Sequence, residues 1–178
     1  MQYDEIERLS ADYDLLLIRK DGKYAIIDKQ EKVLYSKLDK VGIDIKRFDK
    51  NNLKSPYILL DKYIPIMKNN KWVLITVDGE LLVSTTYDSL GCINSNSTNS
   101  DYSSVLVIPD YNLIVAARDK KYYLIDEQGR ELGGIAFDGV YLKTEIDKTS
   151  YYIRYGNQEA ELSTVMDQLI ERTKDKEE

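Results

Sequence analysis

Apolar residues in this chain gather in short runs separated by polar steps, and the runs recur. Leu15 to Ile18, Tyr63 to Met67 and Leu113 to Ala117 have strand length, and each leads into a polar two-residue step: Asp21-Gly22, Asn69-Asn70 or Asp119-Lys120. These steps predict type I′ hairpin turns, because both central residues need positive φ and Gly, Asn and Asp adopt it at least cost. A lysine and an aromatic follow each time, Lys23-Tyr24, Lys71-Trp72 and Lys121-Tyr122. Then comes a second β-rich run: Ala25-Ile26-Ile27, Val73-Leu74-Ile75 or Tyr123-Leu124-Ile125. Another turn follows at 29–32, 77–80 and 127–130, where Gly79 and Gly129 share a position that Glu31 fills in the first copy. That first turn must differ or be strained. A third strand through Val33-Leu34-Tyr35, Leu81-Leu82-Val83 or Leu132 to Ala136 makes each copy a three-stranded meander.

A closing motif sets the period: an aromatic or Leu, then Asp, any residue, and an aliphatic. It reads Leu38-Asp39-Lys40-Val41, Tyr87-Asp88-Ser89-Leu90 and Phe137-Asp138-Gly139-Val140, with the aspartates 49 and 50 residues apart. A further occurrence, Tyr3-Asp4-Glu5-Ile6, precedes Asp39 by only 35 residues, so the later units carry insertions, at 42–60 and 91–108. Tyr57 to Leu60 and Val105 to Ile108 predict an extra short strand in each insertion, while the polar stretch Asn94 to Asp101 predicts an exposed, mobile loop. Units of 3–41, 42–90 and 91–140 result, followed by a capping hairpin over 141–162 around Gly156-Asn157. Leu162, Val165, Met166, Leu169 and Ile170 then switch to helical spacing, and Thr164 with Asp167 reads as a capping box, predicting a helix over 163–174 with a fraying charged tail. The expected fold is mainly β. It is a single domain, an open curved array of three to four β-meander repeats like part of a propeller, with a C-terminal α-helix.

These residues resemble the bacterial WG-repeat family, whose units run from an aromatic-Asp-x-aliphatic motif into a hairpin bearing Lys-Trp-Gly and then a glycine-containing turn. The best segment is 3–41, through Asp21-Gly22-Lys23-Tyr24-Ala25-Ile26-Ile27-Asp28 to Leu38-Asp39-Lys40-Val41. The family's glycine is replaced by Ala25, Val73 and Tyr123, and its tryptophan survives as Trp72. Val73 and Tyr123 must push neighbours away where glycine would allow close approach. The resemblance implies a structural and interaction module rather than a particular chemistry.

Composition narrows the chemistry. With 178 residues, 43% of them hydrophobic, the chain can bury one core without metals or disulfides, and the lone Cys92 allows no internal disulfide. The acidic start, the single cysteine and the lack of an apolar run near the roughly 18 residues of a membrane span lead us to expect a cytoplasmic protein. A net charge of −6 with scattered Lys and Arg disfavours nucleic acid and suits a basic protein partner. There is no histidine, which removes the Ser-His-Asp and Cys-His arrangements and the commonest general base. Cys92 reads as a small buried side chain. Asp4, Asp39, Asp88 and Asp138 recur once per unit, as do Asp28 and Asp126 with Thr76 between them. Recurrence predicts acceptors for backbone N–H groups at corners, not an active site. No cofactor and no metal site is expected, since neither a calcium-loop pattern nor a phosphate-binding glycine motif occurs.

Fifteen tyrosines suit strands, and Tyr is also enriched at interfaces. Tyr102, Tyr111, Tyr141, Tyr151 and Tyr152 fall in predicted loops or edges and are the candidate partner contacts. Trp72 occupies the repeat's aromatic position and reads as core. The expected function is non-enzymatic: a module that binds a protein partner through a sheet face and the two insertions, with self-association through edge strands as a further capacity. An immunity or inhibitor protein that neutralises a cytoplasmic toxin or enzyme is the alternative of the same kind. A carboxylate-dependent hydrolase is the alternative from another class, and it requires acids from different units to meet in one pocket.

Overall fold

The computed structural model describes residues 3–10, 12–43, 55–81, 85–94, 106–146 and 148–175. The fold is mainly β, with four sheets and one C-terminal helix among the described residues, whose strands close no barrel. Contacts divide the chain into two compact units, Met1–Thr86 and Tyr87–Glu178.

In the first unit, β1 (Glu5–Ser10), β2 (Leu15–Lys20), β3 (Lys23–Asp28) and β4 (Val33–Leu38) form an antiparallel meander. A second sheet holds β5 (Lys40–Val41), β6 (Tyr63–Lys68) and β7 (Lys71–Thr76). The two-residue period sends Leu15, Leu17, Ile26, Ile64, Ile66 and Ile75 into one core, which Leu9, Leu38 and Ile58 complete. In the second unit, β10 (Val107–Ile108), β11 (Leu113–Arg118) and β12 (Lys121–Ile125) form a sheet in which β8 (Ser89–Leu90) also pairs with β11. The last sheet runs β15 (Gln158–Glu161), β14 (Thr149–Tyr155), β13 (Gly139–Thr144) and β9 (Ile93–Asn94), with β9 parallel to β13. Helix α1 (Met166–Lys174) contributes Met166 and Leu169 to a core shared with Leu113, Val115, Leu124, Phe137, Val140 and Ile153.

The predicted turns form with the expected backbone. Asp21 and Gly22 have φ of 50° and 73°, Asn69 and Asn70 of 54° and 59°, Asp119 and Lys120 of 53° and 63°. Glu31 adopts the same left-handed conformation (61°) as Gly79 (86°) and Gly129 (82°), so the first turn is the same turn held under strain. What holds it is Asp28, whose Oδ1 accepts the N–H groups of Gln30 at 2.9 Å and Lys32 at 2.8 Å. Asp126 does the same for Gln128 at 3.0 Å and Arg130 at 2.9 Å, and the Thr76 hydroxyl takes the Glu80 N–H at 3.0 Å.

Several expected elements differ. The third strand is formed in the first copy, as β4, while Leu82 and Val83 of the second copy lie outside the described residues. Leu81 makes a single bridge to Ile75, and Leu132–Gly134 is a 3₁₀ turn in which Gly133 has a φ of 65° and cannot continue a strand. In the insertions, Leu59 makes one bridge to Tyr63, and Val107–Ile108 is a two-residue strand. The helix begins at Met166 after a 3₁₀ turn at Leu162–Thr164, and no side chain caps it. Thr164 forms no capping box because its hydroxyl donates back to the Glu161 carbonyl at 2.7 Å. Residues 95–101 of the expected loop and 176–178 of the tail lie outside the described residues. No helix among the described residues is long and apolar enough to cross a membrane.

Candidate interaction surface

The recurring aspartates are the natural first candidates for chemistry, and their geometry assigns them to the scaffold. Each motif Asp donates its own N–H to a strand carbonyl of the following hairpin: Asp4 to Arg19 at 2.9 Å, Asp39 to Met67 at 2.8 Å, Asp88 to Ala117 at 2.7 Å and Asp138 to Arg154 at 2.7 Å. Each then accepts a turn N–H from that hairpin. Asp4 takes Asp21 at 2.9 Å, Asp39 takes Asn70 at 3.4 Å, Asp88 takes Asp119 at 2.9 Å and Asp138 takes Gly156 at 2.7 Å. The fourth set involves the C-terminal hairpin, whose turn sequence Gly156-Asn157 differs from the other three. Asp39 and Asp138 also receive Lys23 and Lys121, the lysines that follow the preceding turns. Those ammonium groups, with the turn N–H groups, hold both carboxyls below the ordinary carboxylate value.

The candidate tyrosines separate by burial. Tyr151 is only 7% exposed and faces the core, because β14 is an interior strand between β13 and β15 rather than an edge. Tyr111 ends the 3₁₀ turn Pro109–Tyr111 and packs half-buried against the same core. Tyr102 lies outside the described residues. Tyr141 and Tyr152 are brought together, directly opposite each other on β13 and β14, with rings stacked 5.8 Å apart and 14° from parallel. Their strand neighbours Val140, Leu142, Tyr151 and Ile153 are buried, so the tyrosines stand on the sheet's other face, half-buried.

Around this pair is a group that inspection of loops and edges missed. Lys143 places its ammonium 4.1 Å from the Tyr152 ring centroid and 5.5 Å from that of Tyr141, and it bonds Glu159 at 2.8 Å. Lys148 pairs with Glu161 at 3.3 Å, and this bond draws the Glu161 carboxyl below its ordinary value. The Arg154 guanidinium reaches the Asp138 carbonyl at 3.4 Å. The face therefore carries both signs of charge around an aromatic centre. The available signal was the period-two spacing of Tyr141 with Lys143, but the cross-strand register that adds Tyr152 and Glu159 emerges only on folding.

Two other aromatic sites are closed by their own partners. Tyr87, fully buried, donates to Glu131 at 3.1 Å, and burial pushes its hydroxyl pKa far up. Arg118 binds Glu131 at 3.0 Å and lies 4.4 Å from the Tyr123 ring, so this bulky residue is covered by a guanidinium. Trp72 is half-buried and packs over Gly42 beside Pro65. Cys92 is buried, as its surroundings in the sequence predict.

A cleft of about 420 Å³ in the first unit is lined by Glu5, Glu7, Arg19, Tyr24, Asp39 and Tyr57, among others. Its acids are engaged: Glu7 accepts the Tyr57 hydroxyl at 2.7 Å, Glu5 lies 3.6 Å from Arg19, and Asp39 holds Lys23. A general acid needs a raised carboxyl pKa, whereas that of Asp39 is lowered. No group of three or more Cys, Asp or Glu side chains among the described residues is placed to hold a metal ion. No protein-family model matches the chain, and no curated protein matches its sequence.

Proposed function

We propose that this protein is a non-enzymatic interaction module, a diverged relative of the WG-repeat type, that binds a protein partner through the outer face of the sheet β9, β13, β14 and β15. The observation that carries the reading is the stacked pair Tyr141 and Tyr152, half-exposed and ringed by Lys143, Glu159 and Arg154. Tyrosine offers rigid contact area at low entropic cost, and a polar rim of both signs supplies orientation. The recurring acids support the same reading because they are committed to hairpin turns. The repeat organisation belongs to the proposal too. Its four Asp-to-hairpin contacts support a reading of three to four meander repeats.

The insertions at 42–60 and 91–108 are proposed as further contacts, each within its own unit, and most of their residues lie outside those described. A cytoplasmic setting is part of the reading. The test is affinity capture from the native cell with quantitative mass spectrometry, comparing the wild type with the double variant Tyr141→Ala and Tyr152→Ala. One protein recovered at equal stoichiometry with the wild type and lost with the variant is the expected result. A basic toxin or nuclease in that role would specify an inhibitor. Recovery of no stoichiometric partner at low salt counts against the module.

A further inference from the structure

On β14 and β15 the two-residue period that turns Tyr152 outward turns Ile153 and Tyr155 to the opposite face, where Ala160 and Gln158 stand across from them. Helix α1 packs on that face. Val165 at its entrance, then Gln168, Leu169 and Arg172, follow the i, i+3, i+4, i+7 spacing that puts them on one side, toward the hairpin. The two do not close on each other: a cleft of about 370 Å³ remains between helix and hairpin. Small-ligand sites begin at about 300 Å³.

The floor of this cleft is apolar. Phe137, Ile153 and Leu169 are buried, and Ala160 and Val165 are half-buried beside them. Its rim is polar, with Tyr155, Gln158, Gln168 and Arg172 all exposed. Among the described residues no hydrogen bond or ion pair engages the side chains of Gln158, Gln168 or Arg172. Glu159 also borders the cleft, but its carboxylate is held by Lys143 at 2.8 Å. Glu171 and Asp175 share a neighbouring hollow with Arg172 and form no ion pair with it among the described residues. One uncommitted positive charge thus stands over an apolar floor, with two amides beside it.

We propose that the cleft between α1 and the β14–β15 hairpin binds a small amphipathic carboxylate, a medium-chain aliphatic acid. The hydrocarbon lies on Phe137, Ile153, Val165 and Leu169, where burying it removes apolar area from water on both sides. The carboxylate takes a charge-assisted bond from the Arg172 guanidinium, with the Gln158 and Gln168 amides as neutral donors. The charge on the rim selects an acid over a neutral or cationic molecule of the same length. The site uses the face of the hairpin opposite Tyr152, and neither Tyr141 nor Tyr152 lines it, so this inference and the protein-binding reading fail separately.

The test is titration of the full chain with sodium octanoate, followed by methyl NMR, beside 1-octanol as the neutral ligand of the same length. Saturable shifts at the methyls of Ile153, Val165 and Leu169 are expected, with a Kd for octanoate of about 1 mM or tighter. Octanol is expected to bind at the same methyls about three- to tenfold more weakly. Arg172→Gln, at an exposed position, is expected to remove that preference and leave octanol binding unchanged. Equal affinity of the wild type for the two ligands overturns the proposal, as does an unchanged preference in a folded Arg172→Gln protein. Shifts confined to other methyls, or no saturation by about 10 mM octanoate, overturn it too. Exposed apolar residues of this chain, Ile146 beside Glu145 among them, make a second copy the competing occupant. A dimer in sedimentation that perturbs the same methyls as protein concentration rises overturns the proposal in favour of that copy.

Discussion

Glu31 holds a backbone conformation that glycine supplies in the two equivalent turns. An L-residue in the left-handed region is strained by about 1–2 kcal/mol, offset in part by the greater chain entropy that glycine loses on folding. Glu31→Gly should therefore stabilise the protein by up to about 1 kcal/mol, a rise in thermal midpoint of about 2–4 °C. A lowered midpoint in calorimetry would show that the Glu31 side chain contributes something the turn geometry does not reveal. Gly42 is the opposite case. A Cβ there would lie 2.7 Å from Pro65 Cγ and 3.3 Å from Trp72 Cζ3, so Gly42→Ala should cost about 1–3 kcal/mol, read as a lower guanidinium midpoint. At this scale the roles of Asp28, Asp126 and the motif aspartates were legible, because a residue recurring beside a turn has few reasons to be there other than its N–H groups. The burial of Tyr151 was not. Tyr151 and Tyr152 are adjacent, and only the pairing of β14 on both sides decides which of them faces the core.

Among the elements, the hairpins are tied together by carboxylates that titrate. Asp39 and Asp138 have pKa values lowered from the ordinary 3.8, chiefly by Lys23 and Lys121. The folded state therefore binds fewer protons than the unfolded state as the pH falls below about 4, so their contribution is complete above that value and is lost through the lowered pKa. Urea midpoints measured from about pH 6 to pH 2 should fall in this window, and Asp39→Asn with Asp138→Asn should flatten the fall. An acid slope identical to the wild type would mean that these joints do not report on folding. Helix α1 is docked by Thr173, which accepts the Gly133 N–H at 2.6 Å and donates to Leu169 at 2.8 Å. Thr173→Val keeps the shape and leaves the Gly133 N–H unpaired, so a loss of about 1–3 kcal/mol is expected, with recovery in Thr173→Ser. Hairpins and helix were readable from turn chemistry and periodicity. The loss of the third strand in the last copy was not, since Gly133 and Gly134, both at positive φ, turn the chain after Leu132.

For the whole molecule, the question is which face is left for function once the scaffold has used its recurring groups. Turn acceptors, ion pairs at the joints and the buried tyrosines are all committed internally. The stacked tyrosines of β13 and β14 are half-exposed, and the residues around them do not recur in the other hairpins. That location was only partly visible in the sequence: Tyr141 and Tyr152 stand out as aromatics, but their pairing depends on a register that places them opposite each other. The most direct test is the quantitative capture experiment with the wild type and the Tyr141→Ala, Tyr152→Ala variant at low salt, after circular dichroism shows both to be folded. The account predicts one protein at equal stoichiometry with the wild type and its loss with the variant. A partner retained equally by both proteins would contradict the assignment of this face, and no stoichiometric partner for either would contradict the interaction module itself.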